Sequence, residues 1–275
     1  MDECHLPSTD PEALRRVYGF AVPKAFLKLL ELVNDPDGSV NGRDGSLFQM
    51  VTGLLLADQS DAHPGTPPEL FLIGRTGMDG VTCGCVLHDD RLAGDPPLAM
   101  FDPGQLRGDY LGLDTRRSLG ALMGIQLAQR DPGDDSHDPL QVIAQMGFDP
   151  DELPPEQPLG LRPRTPPGWK LAMTADGLGV MAETKHFAPG QPFDDDPESF
   201  ESLDVADYLA RARAAIADGY AATALWHLRN GYTFWAAKRM PEELTAAMVE
   251  VYKLLGRTRL VERLETAITL HRDSE

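Results

Sequence analysis

The sequence predicts an α+β fold in which a mixed or antiparallel sheet is flanked by helices and followed by a small all-α helical-hairpin module. Short β-type runs occur at residues 69–74 and 81–88, separated by a glycine-bearing turn. Apolar residues at helical spacing lie on both sides of these runs. From residue 203 onward, alanine and leucine increase and proline almost vanishes. We therefore predict an α+β domain over residues 1–202 and an α-helical module over residues 203–275.

The N-terminal part of the chain begins with a predicted amphipathic helix within residues 12–33. Its apolar positions follow Pro23, a residue that suits the start of a helix, and recur at helical spacing. These positions are Phe26, Leu29, Leu30 and Val33. Residues 34–46 are rich in turn-forming side chains, and residues 47–57 are apolar enough for a second buried element.

Three runs predict neighbouring strands in the middle of the chain: ELFLIG at 69–74, VTCGCVLH at 81–88 and PPLAMF at 96–101. Strand alternation places Cys83 and Cys85 on one face, where they fit as small core residues. The chain has three cysteines, an odd number that argues against a disulfide framework. We expect free thiols and a reducing compartment.

Further along, residues 115–129 carry an apolar helical stripe and predict another helix. Residues 131–167 are rich in proline, aspartate and glycine, which is typical of an extended insertion or a mobile loop. Residues 169–181 predict a hairpin that turns at Ala175-Asp176-Gly177, because Asp-Gly is a strong hairpin signal.

The C-terminal residues predict helical segments near 203–217, 220–236 and 241–270, punctuated by Gly219 and Gly256. This pattern resembles one and a half units of a tetratricopeptide-type array of helical hairpins.

The middle segment of this array contains three large aromatic residues, Trp226, Tyr232 and Trp235. The two tryptophans are nine positions apart on a helix and point in nearly opposite directions. Either one of them lines a groove or an interface, or the helix is buried on all sides.

The negative charge of the chain indicates which kinds of partner it favours and disfavours. The net charge is -18, and acidic side chains outnumber basic ones about two to one in residues 1–200. Such a charge disfavours nucleic acid and anionic membranes, because binding to these needs clustered Lys and Arg. It favours a basic protein partner, although acidity also simply keeps proteins in solution. No window reaches the roughly 18 apolar residues of a membrane helix, so we expect a cytosolic protein.

No catalytic signature is present: the sequence lacks a phosphate-binding loop, a G-x-S-x-G elbow and an H-E-x-x-H motif. Cys83, Cys85 and His88 are the nearest approach to a metal site, but they lack a fourth ligand, and His88 falls on the opposite strand face. We therefore predict no metal and no cofactor. A site assembled from distant residues, with Asp176, Asp79 and His88 as members, is an alternative that spacing does not test.

Several short motifs of the chain resemble a known family. The motif YGFAVP at residues 18–23, followed by FLKLL and then by Asn34-Asp35, resembles the opening of the SUKH (SMI1/KNR4-like) superfamily. Residues 71–86 and the segment PESFESL at 197–203 are similar to its central strands and final helix. The resemblance covers most of residues 12–210. It implies a sheet flanked by helices that serves as a protein-binding scaffold, often as an immunity protein that neutralises a bacterial toxin.

These observations together predict a non-enzymatic binding protein, of the immunity type, that neutralises a basic toxin through an acidic surface. The predicted surface includes Asp194, Asp195, Asp196 and Glu198, although an acidic run before a helix is also a common solvated flank. A scaffold that binds a peptide or a second copy of the chain through Trp226, Tyr232 and Trp235 is one alternative. A hydrolase or transferase with a dispersed site is the other.

Overall fold

The computed structural model describes residues 9–33, 46–57, 61–63, 65–77, 80–130, 138–156, 160–190, 204–236 and 242–273. The helices of these residues are α1 Pro11–Tyr18, α2 Lys24–Val33, α3 Ser46–Thr52, α4 Thr115–Gln129, α5 Asp138–Gln145, α6 Val205–Ala217, α7 Ala221–Ala236, α8 Glu242–Leu254 and α9 Thr258–Asp273. The strands are β1 Leu55–Leu56, β2 Leu70–Arg75, β3 Thr82–Val86, β4 Leu98–Asp102, β5 Arg107–Tyr110, β6 Trp169–Ala172 and β7 Val180–Glu183. The predicted α+β class is confirmed. In the described part of the chain, no helix combines the length and apolar character needed to cross a membrane.

The main sheet is an antiparallel meander in which β1 to β5 lie side by side in chain order. The three strands predicted from apolar runs are β2, β3 and β4. Strand β5 was not predicted, because its sequence RGDY offers only one large apolar residue. Strands β6 and β7 form a separate hairpin, which confirms the hairpin prediction for residues 169–181.

The two faces of the main sheet pack into different apolar clusters. Phe71 and Ile73 belong to the main core, whereas Leu70 and Leu72 belong to a smaller cluster, as strand alternation requires. Cys83 and Cys85 are fully buried in the main core as free thiols, as predicted. Burial raises the pKa of Cys83 to about 12, so this thiol is an inert core residue.

The N-terminal helices cover part of the main core. The single helix predicted within residues 12–33 is two helices: α1 ends at Gly19, whose φ of 76° suits a left-handed helix cap, and α2 begins directly after Pro23. The buried residues of α2 are the four predicted from helical spacing.

Residues 131–167 require a correction, because the expected insertion or loop contains helix α5 and a short 3-10 turn at Pro150–Glu152. Val142, Ile143 and Met146 are buried in the main core. Their spacing of one and three residues fits a helix face that packs on a core, which the surrounding prolines and aspartates obscure. Residues 131–137 and 157–159 lie outside the described residues.

The C-terminal helices α6 to α9 pack in sequence, each on the next. The segment predicted near 241–270 is two helices, α8 and α9, which are separated around Gly256. Residues from α7 and α8 lie in the same main core as the sheet. The predicted domain boundary after residue 202 falls outside the described residues, and the tetratricopeptide resemblance stays a prediction.

Candidate functional site

The loop between β6 and β7 directs the carboxylate of Asp176 into the protein interior. Asp176 is only 1% exposed, and its Oδ1 accepts hydrogen bonds from Thr174 Oγ1 at 2.7 Å and from Leu178 N at 2.9 Å. Gly177 and Gly179 have φ values of 78° and 74°, which allow the loop to fold back over its own aspartate. The sequence predicts a turn at residues 175–177. The observed loop between β6 and β7 is longer than that turn, and it buries the Asp176 side chain.

Arg229 of α7 meets Asp176 inside the protein. Its Nη2 lies 2.5 Å from Asp176 Oδ2, and its Nε lies 3.0 Å from Oε2 of Glu69, the residue directly before β2. Tyr252 of α8 donates to the other Glu69 oxygen at 2.6 Å, and Thr233 lies 3.1 Å from Asp176 Oδ2. We call Glu69, Asp176, Arg229, Thr233 and Tyr252 the ionic cluster. It joins the sheet, the hairpin and the C-terminal helices.

Burial and paired charges set the protonation of the ionic cluster. Burial lowers the pKa of Arg229. The negative charges of Asp176 and, next, Glu69 together raise this pKa by more than burial lowers it, so it lies above the ordinary value of an arginine. Burial, and next the Glu69 charge, raise the pKa of Tyr252 well above its usual range. Arg229 therefore stays charged and Tyr252 stays a neutral donor, which is how a buried carboxylate pair is stabilised.

A second arginine enters this interface from the end of α8. Gly256 N donates to Lys253 O and Arg257 N donates to Tyr252 O, a Schellman cap in which Gly256 has a φ of 71°. The cap turns Arg257 inward, where its Nη2 donates to Met181 O and its Nε lies 4.0 Å from Asp89 Oδ2. Arg257 is 1% exposed, so its guanidinium contacts only groups inside the protein.

His88 lies next to this interface with a defined tautomer. Tyr110 Oη donates to Leu178 O at 2.7 Å, so its only proton is used there. The 2.9 Å contact between His88 Nε2 and Tyr110 Oη therefore requires that Nε2 carries the proton. Burial, and next the charges of Arg257 and Arg229, lower the pKa of His88 to about 3. His88 is thus a neutral, structural donor.

Two of the three residues predicted as a dispersed catalytic site lie close together inside the protein. Asp176 and His88 are linked through Leu178 and Tyr110, and both are held by internal partners at no more than 3% exposure. Asp79 lies outside the described residues. Because a general acid or base must reach its substrate, this geometry supports a structural role for Asp176 and His88.

The structure does not bring together Cys83, Cys85 and His88, the residues whose spacing came nearest to a metal site. Cys83 and Cys85 point into the main core, whereas the His88 Nε2 proton is used on Tyr110, a residue of the smaller cluster. Within the part of the chain that the structure describes, no group of three or more His, Cys, Asp or Glu residues could hold a metal ion.

The predicted aromatic binding residues lie largely inside the protein. Tyr232 is 3% exposed, and its hydroxyl lies 3.4 Å from Thr66 O. Trp226 donates its indole N–H to Met173 O, and both Trp226 and Trp235 pack on the main core as half-buried side chains. A partner cannot reach Tyr232 in this arrangement. A docking role for the two tryptophans stays a prediction.

The predicted acidic binding residues fall in a part of the chain that the structure does not describe. They are Asp194, Asp195, Asp196 and Glu198.

Four buried charged residues, Glu69, Asp89, Arg229 and Arg257, were not predicted as site residues. The available signal was weak: each is a charged residue inside or beside an apolar stretch, a position where an unpaired charge would be costly.

An open apolar cleft of about 380 Å³ lies beside α4, at the edge of the main core. It is walled by Leu111 and Leu113 after β5, by Gly120 and Ala121 of α4, and by Phe148 and Leu153. Residues 149–156 run along this cleft with four exposed acidic side chains and no basic one. These are Asp149, Asp151, Glu152 and Glu156, and we call residues 149–156 the acidic segment.

The acidic segment is not neutralised by its surroundings. Among the described residues, Asp151, Glu152 and Glu156 take part in no ion pair. Arg117, which lines the cleft, is paired with Asp114 at 3.6 Å, and Arg116 donates to the carbonyls of Met146 and Gly147. The acidic segment is therefore a strip of exposed carboxylates beside an apolar surface, and three of them form no ion pair within the described part of the chain.

A second cavity of about 380 Å³ lies beside His88, and its lining includes Pro96, Pro97, Pro163 and Pro166. The Arg91 side chain at this cavity is held by Asp89 and Glu183 and stacks on Trp169 at 4.8 Å. Its charge is thus already used within the protein.

Comparison with known proteins does not assign the chain to a family. No protein-family model matches the sequence, and no curated protein matches it significantly. The SUKH resemblance, and the role it implies, therefore stay predictions.

Proposed function

We propose that this chain is a non-enzymatic binding protein for a basic protein partner. The observation that carries the proposal is the acidic segment, in which Asp151, Glu152 and Glu156 are exposed and form no ion pair among the described residues. Neutralisation of a basic toxin, as in immunity proteins, is the form of binding that the SUKH resemblance implies.

The distribution of charge supports binding over catalysis. The ionic cluster carries charged groups that in an enzyme could transfer protons, but its members are at most 4% exposed and bonded to one another. The unpaired carboxylates, in contrast, lie at the surface. A surface of this kind attracts a basic partner over a long range and orients it during encounter.

The first test is affinity capture of partners from the native lysate with the full chain, with the salt concentration raised during washing. We expect a basic protein that is retained at about 0.1 M salt and lost near 1 M, where the screening length falls from about 10 Å to about 3 Å. Capture alone does not decide the proposal, so the partner is then titrated against charge variants.

The deciding variant is Asp151→Lys with Glu152→Lys and Glu156→Lys. Its matched control, Glu31→Lys with Glu250→Lys and Glu262→Lys, changes three exposed glutamates on other elements by the same total charge. We expect the first variant to weaken binding by at least about tenfold at low salt and the control by about twofold or less. Equal effects of both variants, or no effect of either, would contradict the proposal.

A further inference from the structure

We propose that the apolar cleft receives one large apolar side chain of the partner, while lysine or arginine residues next to that side chain contact the acidic segment. This inference rests on the proposed function and adds the docking site and the chemistry of the partner segment. The occupant is thus a basic segment with a single apolar anchor.

The cleft is preformed, because the C-terminal cap of α5 fixes one of its walls. Gly147 N donates to Ala144 O and Phe148 N donates to Ile143 O, with Gly147 at a φ of 78°. The guanidinium of Arg116 stacks on the Phe148 ring at 4.5 Å and binds the carbonyls of Met146 and Gly147. Phe148 is therefore held in place without a ligand.

Small residues on α4 fix the opposite wall. A Cβ added to Gly124 would lie 2.1 Å from Pro154 O, so the chain at residues 153–154 packs directly on the backbone of α4. One turn earlier, Gly120 and Ala121 form the floor of the cleft. A Cβ added to Gly120 would lie 3.1 Å from the Phe148 ring, so this glycine lets Phe148 pack closely on α4.

The size of the cleft fits an anchor side chain better than an extended ligand. A volume of about 380 Å³ lies near the lower end of ligand pockets, which span about 300–1,000 Å³. A preformed apolar pocket of this kind takes one buried side chain, and such anchors dominate the affinity of protein interfaces.

Charge decides between the candidate occupants. Leu153 and Pro154 line the cleft, and acidic residues flank them in the chain on both sides. A second copy of this chain carries a net charge of -18 and would be repelled by the acidic segment. A basic partner segment instead forms charge-assisted contacts on either side of its anchor.

The first experiment compares two peptides, KKKWKKK and KKKSKKK, for binding to the full chain. They carry the same charge and differ only in the central anchor. We expect the tryptophan peptide to bind at least about tenfold more tightly, with a difference that persists at high salt, because apolar burial is not screened. Equal affinities would overturn the inference, since they would show that charge alone drives binding.

The second experiment locates the anchor with the charge-neutral variant Leu153→Gln. Its matched control is Leu254→Gln, at a leucine that is 60% exposed on α8. We expect the tryptophan peptide to lose about tenfold in affinity for the first variant and to bind the control as it binds the original chain. Circular dichroism confirms folding, and Leu161→Gln in the same cleft replaces Leu153→Gln if that variant does not fold.

The outcomes separate this inference from the proposed function. If the lysine variant of the acidic segment weakens the captured partner but Leu153→Gln does not, the cleft is not the docking site and the proposed function stands. If the lysine variant and its matched control weaken the captured partner equally, the proposed function fails, and the inference fails with it even if the tryptophan peptide binds in the cleft. Anchor discrimination that survives in both cleft variants would overturn the inference.

Discussion

Arg229 is the residue on which the contact between sheet and helices depends. Its guanidinium contacts Glu69 at the start of β2 and Asp176 in the hairpin loop, with none of the three more than 1% exposed. Two buried carboxylates share one guanidinium, so removing the guanidinium leaves both of them uncompensated. The cost of a broken buried ion pair is larger than the net gain from making it.

Arg229→Met tests this asymmetry. We expect the free energy of unfolding to fall by about 3–5 kcal/mol, because Glu69 and Asp176 stay buried and lose the one cation that contacts both of them. Combining Arg229→Met with Glu69→Gln and Asp176→Asn removes the stranded charges and should recover at least about 1 kcal/mol. Urea unfolding measures both variants. A triple variant as unstable as the single one would show that charge is not the cause.

His88 gives the protein a specific acid sensitivity. Its pKa is about 3 in the folded chain, lowered first by burial, against 6.5 for a free histidine. Below pH 6.5 the unfolded chain therefore binds a proton that the folded chain does not, and stability falls as the pH falls towards 3. Between pH 7.5 and 5.5 this histidine should cost about 1.4 kcal/mol of unfolding free energy.

The measurement is the difference in urea-unfolding free energy between those two pH values, for the original chain and for His88→Gln. The glutamine variant lacks the titration and should lose about 1.4 kcal/mol less over the same interval, whatever its stability at neutral pH. Other titrating groups, such as His227, are present in both proteins and cancel. Equal pH dependence in the two proteins would contradict a neutral buried His88.

At the scale of single elements, local sequence signals were sufficient for α2 and α4, whereas the prolines and aspartates around α5 obscured its buried face. The apolar spacing of α2 predicted its four buried residues, and the residues predicted for α4, 115–129, match its observed bounds. Glycines at Gly219 and Gly256 predicted helix ends because only a residue tolerant of positive φ suits that cap. These signals depend on a few neighbouring residues, and a single sequence contains them.

The elements that sequence did not predict depend on contacts distant in the chain. Strand β5 is polar and forms because it pairs with β4, with Tyr110 opposite Ala99. The ionic cluster joins residues that are more than 50 positions apart, such as Asp176 and Arg229, and no local pattern records such a pairing. The apolar cleft arises in the same way, from α4 glycines meeting residues 148–154.

At the scale of the whole molecule, the sheet and the C-terminal helices form one core. Leu225 and Leu228 of α7 and Met248 of α8 lie in the same apolar cluster as Phe71 and Cys83 of the sheet. Polar contacts also join the C-terminal helices to the rest of the chain, since Trp226 donates to Met173 O and Tyr232 lies close to Thr66 O. Apolar burial and paired charges thus reinforce each other there, and neither part buries its own surface alone.

Removing the C-terminal helices should therefore unfold the rest of the chain. A fragment that ends at residue 203 loses Arg229, Tyr252 and the apolar side chains of α7 and α8, which exposes core surface and leaves Glu69 and Asp176 without partners. We expect it to lack a cooperative urea transition and to bind a hydrophobic dye, whereas the full chain unfolds in one transition. The full chain with Leu254→Gln, at a leucine that is 60% exposed on α8, is the control and should unfold like the original chain. A cooperative transition in the fragment, with an ordered near-ultraviolet circular dichroism spectrum, would show instead that the α+β part folds by itself and that the ionic cluster joins two independent units.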